Sequence, residues 1–184
     1  MSELIVACVR TGERVPFDLV TTLRNSLAKN LARQHTMVCL TDQPERCTGV
    51  GFVDISAMEL PGWWGKMALF EPQWRSGAKV IYLDLDVNVI GDIAPLADVS
   101  GEFAILSQKD VAGRYNSSVM VLGRLMGNFI WHGFDRRRSL LMVRHAKHGD
   151  RTCIEELYPS APSLQQMLPP DFFDTRLRLM QQHL

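Results

Sequence analysis

Across 184 residues, no apolar run approaches the roughly 20 residues that a bilayer-spanning helix needs. The opening MSELIVACVRTG has neither a basic leader nor an apolar stretch long enough for a signal peptide, so the expected location is cytoplasmic. Charge of one sign is also missing. Twenty Lys plus Arg balance 20 Asp plus Glu, and with a pI near 7 no global field holds a polyanion, so any nucleic-acid or membrane-surface role would rest on a local patch. Cys8, Cys39, Cys47 and Cys153 form no CxxC, and three lie in or beside apolar stretches, which reads as buried free thiols rather than a disulfide framework or metal site. His145 and His148 could share a helical face, but no third ligand is spaced to join them. Repeats, low-complexity tracts and linkers are lacking as well, which predicts one domain over 1–184.

What is present alternates between strand and helix patterns. Glu3 to Val9 is a short Ile/Val-rich run, followed by a polar break at 10–14. From Pro16, Phe17, Val20, Leu23, Leu27 and Leu31 recur every three or four residues and predict an amphipathic helix to about Gln34. Met37 to Leu40 completes a strand-helix-strand unit, the signature of a parallel βαβ. A weaker strand falls near Val50 to Ile55. Trp63, Met67, Phe70 and Trp74 then lie in helical register, and the strongest strand follows at Lys79 to Leu83. A further strand pair is expected at Phe103 to Leu106 and Ser118 to Leu122, joined by the polar loop 107–116. Residues 125–157 read as mostly helical.

The chemistry centres on VIYLDLDVNV, where a wholly apolar strand runs into Asp84 and Asp86. Residues two apart on a strand share a face, so both carboxylates can reach one hard cation or one phosphate-bearing ligand. Ligands collect at this carboxyl end of a parallel sheet. Spacing alone means little, since 12 Asp in 184 positions give ~0.8 Asp-x-Asp by chance. Placement carries the weight: two carboxylates closing a buried strand repel each other unless a cation or basic group lies between them.

With these motifs in order, the sequence resembles the glycosyltransferases of the GT-A fold, most closely the family 8 (glycogenin-like) group and related bacterial proteins. The resemblance rests on IVACVRTG, LPGWWGKMALF, YLDLDVNVIGDI and YNSSVMVL, with a weaker match at GDRTCIEEL, and spans roughly residues 3–158. It implies an α/β domain with a mostly parallel central sheet flanked by helices. It also implies that Asp84 and Asp86 bind Mn²⁺ or Mg²⁺, which holds the diphosphate of a nucleotide sugar, with UDP as the nucleotide. Lys66 would supply further positive charge; on the sequence alone it reads rather as an exposed helix lysine. Val9, Arg10 and Thr11 leave the first strand where the family cradles the base, and Leu85 lies between the two metal-binding positions. Asn116 and Ser117 offer neutral hydrogen bonds to sugar hydroxyls, or shape a turn before a strand. Asp150 matches the acidic residue beside the transferred sugar, and with Asn116 forms the candidate catalytic pair; Arg151 stands where the family has Gln. Trp63 and Trp64 read as an acceptor platform or as core.

Family members continue into a segment carrying His, Gly and Lys, whereas this sequence stops at QQHL, and no metal-binding role is carried onto His183. The expectation is therefore a metal-dependent hexosyltransferase, retaining by family membership, acting on an unknown glycan, lipid or protein acceptor and short of the family's C-terminal segment. A catalytically weak nucleotide-sugar-binding protein is the alternative. A haloacid-dehalogenase-like phosphatase is the rival enzyme, but it would place the motif near the N-terminus and add a later acidic pair, and no Asp-Asp occurs. The basic stretch Arg136-Arg137-Arg138, Arg144, Lys147 and Arg151 lacks interleaved aromatics, so no nucleic acid is expected. It reads as a solvated helix face or a lipid- or acceptor-facing patch.

Overall fold

The apolar runs become the strands of a six-stranded sheet. The computed structural model describes residues 3–43, 45–108, 114–126 and 128–179. Strands β1 (Leu4–Arg10), β2 (Thr36–Thr41), β3 (Gly51–Asp54), β4 (Lys79–Leu83), β6 (Phe103–Ser107) and β7 (Tyr115–Leu122) lie in the order β3-β2-β1-β4-β7-β6. Pairing is parallel from β3 through β4 and antiparallel on both sides of β7. A separate ribbon pairs β5 (Val87–Val89) with β8 (Leu177–Leu179). The helices are α1 (Asp18–Asn30), α2 (Ala94–Asp98), α3 (Phe129–Asp135), α4 (Arg138–Arg144), α5 (Gly149–Leu157), α6 (Leu164–Met167) and α7 (Phe172–Arg176). Among the described residues no helix is long and apolar enough to cross a membrane.

The period-2 alternation of each strand sorts side chains onto two faces. Leu4, Val6 and Cys8 of β1, with Ile81 and Leu83 of β4, pack with Val20, Leu23 and Leu27 of α1. Ile5 and Ala7, with Val80 and Tyr82, pack with Met67 to Phe70, Phe134 and Ile154 on the other side. Each large side chain so buried stabilises by about 1.5–3 kcal/mol, and this two-sided burial is what makes the central strands read as continuous apolar runs. Helix α1 stops short of Gln34, because Leu31 leaves the helical conformation and residues 32–34 are exposed, with no apolar contact to hold another turn.

Three expectations are corrected. The stretch after Pro61 is not an amphipathic α-helix but a 3₁₀ helix, Gly62–Phe70, followed by a separate 3₁₀ turn at Gln73–Arg75. Trp64 through Phe70 are buried consecutively, so no polar face exists, and Gly62, Gly65 and Pro72 work against a regular helix. Strand β7 begins at Tyr115, so Asn116 and Ser117 belong to the strand rather than to a turn before it; residues 109–113 of the expected loop lie outside the described residues. Lastly, β4 ends at Leu83, and Asp84 to Asp86 form a turn closed by the bond from the Val87 N–H to the Asp84 carbonyl, 3.1 Å. The two aspartates are thus carried by a turn and not by a pleat.

Candidate functional site

At the carboxyl ends of β1 and β4 a cavity of about 840 Å³ opens. Val9, Thr11, Lys66, Tyr82, Asp84, Leu85 and Asp86 all line it, together with the loop from Gly12 to Pro16. A smaller cavity of about 500 Å³ lies at the far end of β2, against α1 and β3, and its walls carry no carboxylate.

The wall of the larger cavity is built on Lys66. The 3₁₀ segment presses so closely on β1 that a Cβ on Gly65 would stand 2.3 Å from Thr11 Cγ2, and the Thr11 hydroxyl donates to the Gly62 carbonyl at 2.6 Å. This close packing drives Lys66 inward. Its Nζ donates to Asp84 at 3.0 Å and to Ser117 Oγ at 3.2 Å, and lies 3.4 Å from Asp150 Oδ2. Ser117 Oγ–H donates in turn to Asp150 Oδ2 at 2.6 Å, and the Tyr82 hydroxyl donates to Asp84 Oδ1. Asp150 is buried in the first turn of α5, where the helix dipole favours a carboxylate. Ser117 reaches this face because a bulge in the β6–β7 pairing, Ile105 opposite Met120 but Leu106 opposite Asn116, resets the alternation along β7.

Electrostatics follow from this enclosure. Burial alone would push the Lys66 ammonium down, but Asp84 and Asp150 outweigh it and hold its pKa up to about 12. The Tyr82 hydroxyl is pushed well above its ordinary value by burial and then by the neighbouring Asp84 charge. Two carboxylates, at Asp84 and Asp150, share the Lys66 ammonium, and Asp86 lines the same cavity. Among the described residues no group of three or more His, Cys, Asp or Glu is arranged to hold a metal ion.

Other expected residues fall elsewhere. Arg10 alternates to the α1 face, where its guanidinium donates to the Val15 carbonyl at 2.8 Å and to Glu45 and lies over Phe17. Asn116 is half-buried, and its Oδ1 accepts from the Ser118 N–H at 2.9 Å. Trp63 and Trp64 part company: Trp64 is 6% exposed and stacks on Phe134, whereas Trp63 is 48% exposed and lines the cavity. His145 bonds to Thr152 and Glu156. His183 lies outside the described residues. Of the basic stretch, Arg137 and Arg144 pair with Glu156 and Arg138 with Asp135. Two contributors went unread in the sequence. Tyr82, two residues before Asp84 on the same face, was legible from the strand period; Asp42, whose carboxylate accepts the Gly12 N–H at 3.0 Å and fixes the loop after β1, left no comparable signal.

No family model and no curated protein matches the chain by sequence. Among solved structures it is similar to the glycosyltransferase GlyE in Streptococcus pneumoniae TIGR4, at 17% identity and a TM-score of 0.61 over 89% of this chain and 45% of that one. An active-site mutant of LgtC superposes with a TM-score of 0.61 at 11% identity, over 86% of this chain and 71% of that one. The bifunctional glycosyltransferase WbbM gives 0.60 at 13% identity, over 88% and 38%. The chain thus spans less than half the length of GlyE, and what it shares with these proteins is the GT-A fold.

Proposed function

We propose that this chain binds a nucleotide diphosphate sugar, UDP-linked, through Mn²⁺ or Mg²⁺, and transfers the sugar to an acceptor in the manner of family 8 glycosyltransferases. The observation that carries the reading is the turn bearing Asp84 and Asp86, which opens into the cavity at the carboxyl end of the parallel sheet with Lys66 as the partner cation of Asp84 and Asp150. The fold likeness to glycosyltransferases supports it. So does the donor set, since carboxylate oxygens suit a hard divalent ion. Asp84 and Asp86 would hold that ion. When bound, the ion supplies neutralisation of the charge that builds on the leaving diphosphate oxygen.

The residues of the chain do the rest. Tyr82 and Lys66 fix the Asp84 carboxylate by hydrogen bonds, so its orientation is set before a ligand arrives. Lys66 stays protonated at every physiological pH and presents a cation to a phosphate oxygen. Val9, Thr11 and the Gly12 loop, held by Asp42, form the wall for the base, and Leu85 covers the turn. Asp150, held by Ser117 and Lys66, sets a carboxylate beside the place where positive character develops on the sugar ring during transfer. Asn116 retains its amide N–H groups for a sugar hydroxyl. Retention of anomeric configuration is the outcome proposed from the family 8 resemblance.

Thermal shift tests the reading. UDP at about 100 times its dissociation constant should add roughly 2.7 kcal/mol, about 5–11 °C for a chain of this size, only with Mn²⁺ or Mg²⁺ present. An equal gain in EDTA would sink the metal bridge.

A further inference from the structure

Trp63 is exposed where burial would be favourable, and the structure holds it there. Gly149 adopts φ +66°, and a Cβ at that position would meet Trp63 Cδ1, Nε1 and Cγ at 2.7, 2.8 and 2.9 Å. Three atoms of the five-membered ring at nearly equal distance mean that a ring face, not an edge, rests on the Gly149 backbone. Nearly half of the residue remains open and lines the cavity. Among the described residues, its indole N–H donates to no protein acceptor. A 3₁₀ helix brings residues three apart onto the same side, so Trp63 stands one turn from Lys66. Gly149 directly precedes Asp150, so the two elements that clamp the indole also carry the charged network.

We propose that Trp63 is a stacking surface for a pyranose ring. A pyranose presents C–H bonds on one face and hydroxyls around its edge. The first suit the negative face of an indole, and the second suit neighbouring carboxylate, hydroxyl and ammonium groups. A wholly apolar ligand would leave those polar groups desolvated and unpaired. The assignment rests on the proposed function in naming a sugar, and the ring belongs either to the donor or to a saccharide acceptor.

Calorimetric titration of the full chain separates these sources. The ligands are UDP with Mn²⁺, UDP-glucose and UDP-galactose with Mn²⁺, and lactose and maltose alone, each against the parent, Trp63→Phe, Trp63→Ala and Trp63→Leu. Trp63→Leu keeps apolar bulk on Gly149 and serves if the alanine variant fails to fold. Alanine and leucine should weaken UDP-hexose binding about tenfold if the ring is the donor's, or disaccharide binding about tenfold if it is the acceptor's. Binding of UDP itself should change less than about twofold. Phenylalanine should largely restore affinity while abolishing the tryptophan emission change that the sugar causes in the parent. Equal weakening of UDP and UDP-hexose would make Trp63 a base platform and overturn the proposal, as would a parent that binds no saccharide or variants that bind it unchanged. Disaccharide binding that depends on Trp63 in a protein that ignores UDP would leave this assignment standing and remove the nucleotide-sugar reading.

Discussion

Replacing Lys66 with methionine tests the electrostatic core of the site, because the change keeps most of the stem and removes only the charge. The parent amine has its pKa raised from 10.5 to about 12, which at about 1.36 kcal/mol per unit corresponds to about 2 kcal/mol in favour of the folded, charged state. The same network viewed from its carboxylates gives a comparable range. Asp84 and Asp150, with side chains 16% and 7% exposed, would face each other without their shared cation, and breaking a buried pair in this way typically costs about 3–5 kcal/mol. Urea unfolding at pH 7 should therefore show Lys66→Met destabilised by about 2–5 kcal/mol, with part of the deficit recovered by Mn²⁺. The pH dependence has a definite sign. A raised pKa stabilises fully below the unfolded value, so the contribution is complete below pH 10.5 and is lost as pH rises through 12; only the parent should weaken in that window on account of Lys66. A variant within about 0.5 kcal/mol of the parent at pH 7 would refute the argument and mark the lysine as an ordinary surface cation.

Asp86→Asn should remove the metal-dependent gain with UDP while the ligand-free protein melts within about 2 °C of the parent, a shift of under about 1 kcal/mol; unfolding instead would identify Asp86 as structural. Gly65→Ala forces a methyl against Thr11 Cγ2 and should cost about 1–3 kcal/mol in urea unfolding, and a neutral result would show that β1 and the 3₁₀ segment can part freely. Thiol titration at pH 8 should find one fast group, the half-buried Cys47. Cys8 and Cys39 are fully buried, the Cys8 thiol raised by its bond to Cys39 and by burial; burial and neighbouring carboxylates push Cys153 up to about 12. Two or more fast thiols would contradict that packing.

The sheet was legible wherever a run of residues is buried on both faces. Lys79–Leu83 matches its strand to the residue, since four consecutive positions, Val80 to Leu83, are buried. The residues around Lys66 were misread for the opposite reason: apolar spacing of three to four also fits a short 3₁₀ segment buried on all sides, and periodicity cannot tell the two apart. Arg10 could have been assigned from parity, two residues beyond Cys8 on the α1 face. Ser117 could not, because the bulge that turns it toward Lys66 depends on pairing with β6 and β4 rather than on its own neighbours. The separation of Trp63 from Trp64 likewise depends on Gly149, distant in sequence and set by α5.

The ribbon of β5 and β8 gives the turn at Asp84 to Asp86 a mechanical neighbour. Val87, directly after Asp86, is paired with Leu179, so a segment near the end of the described chain is zipped alongside the end of the carboxylate turn. Polypeptide leaving Leu179 sets out within one residue's register of Asp86. The position is a natural attachment point: a tether, a tag or a second module joined there is anchored at the rim of the cavity rather than across the molecule. Trimming the chain before Leu177 would unzip β5 and slacken the one covalent path that runs out of the carboxylate turn. Any redesign of that end is therefore also a redesign of the rim.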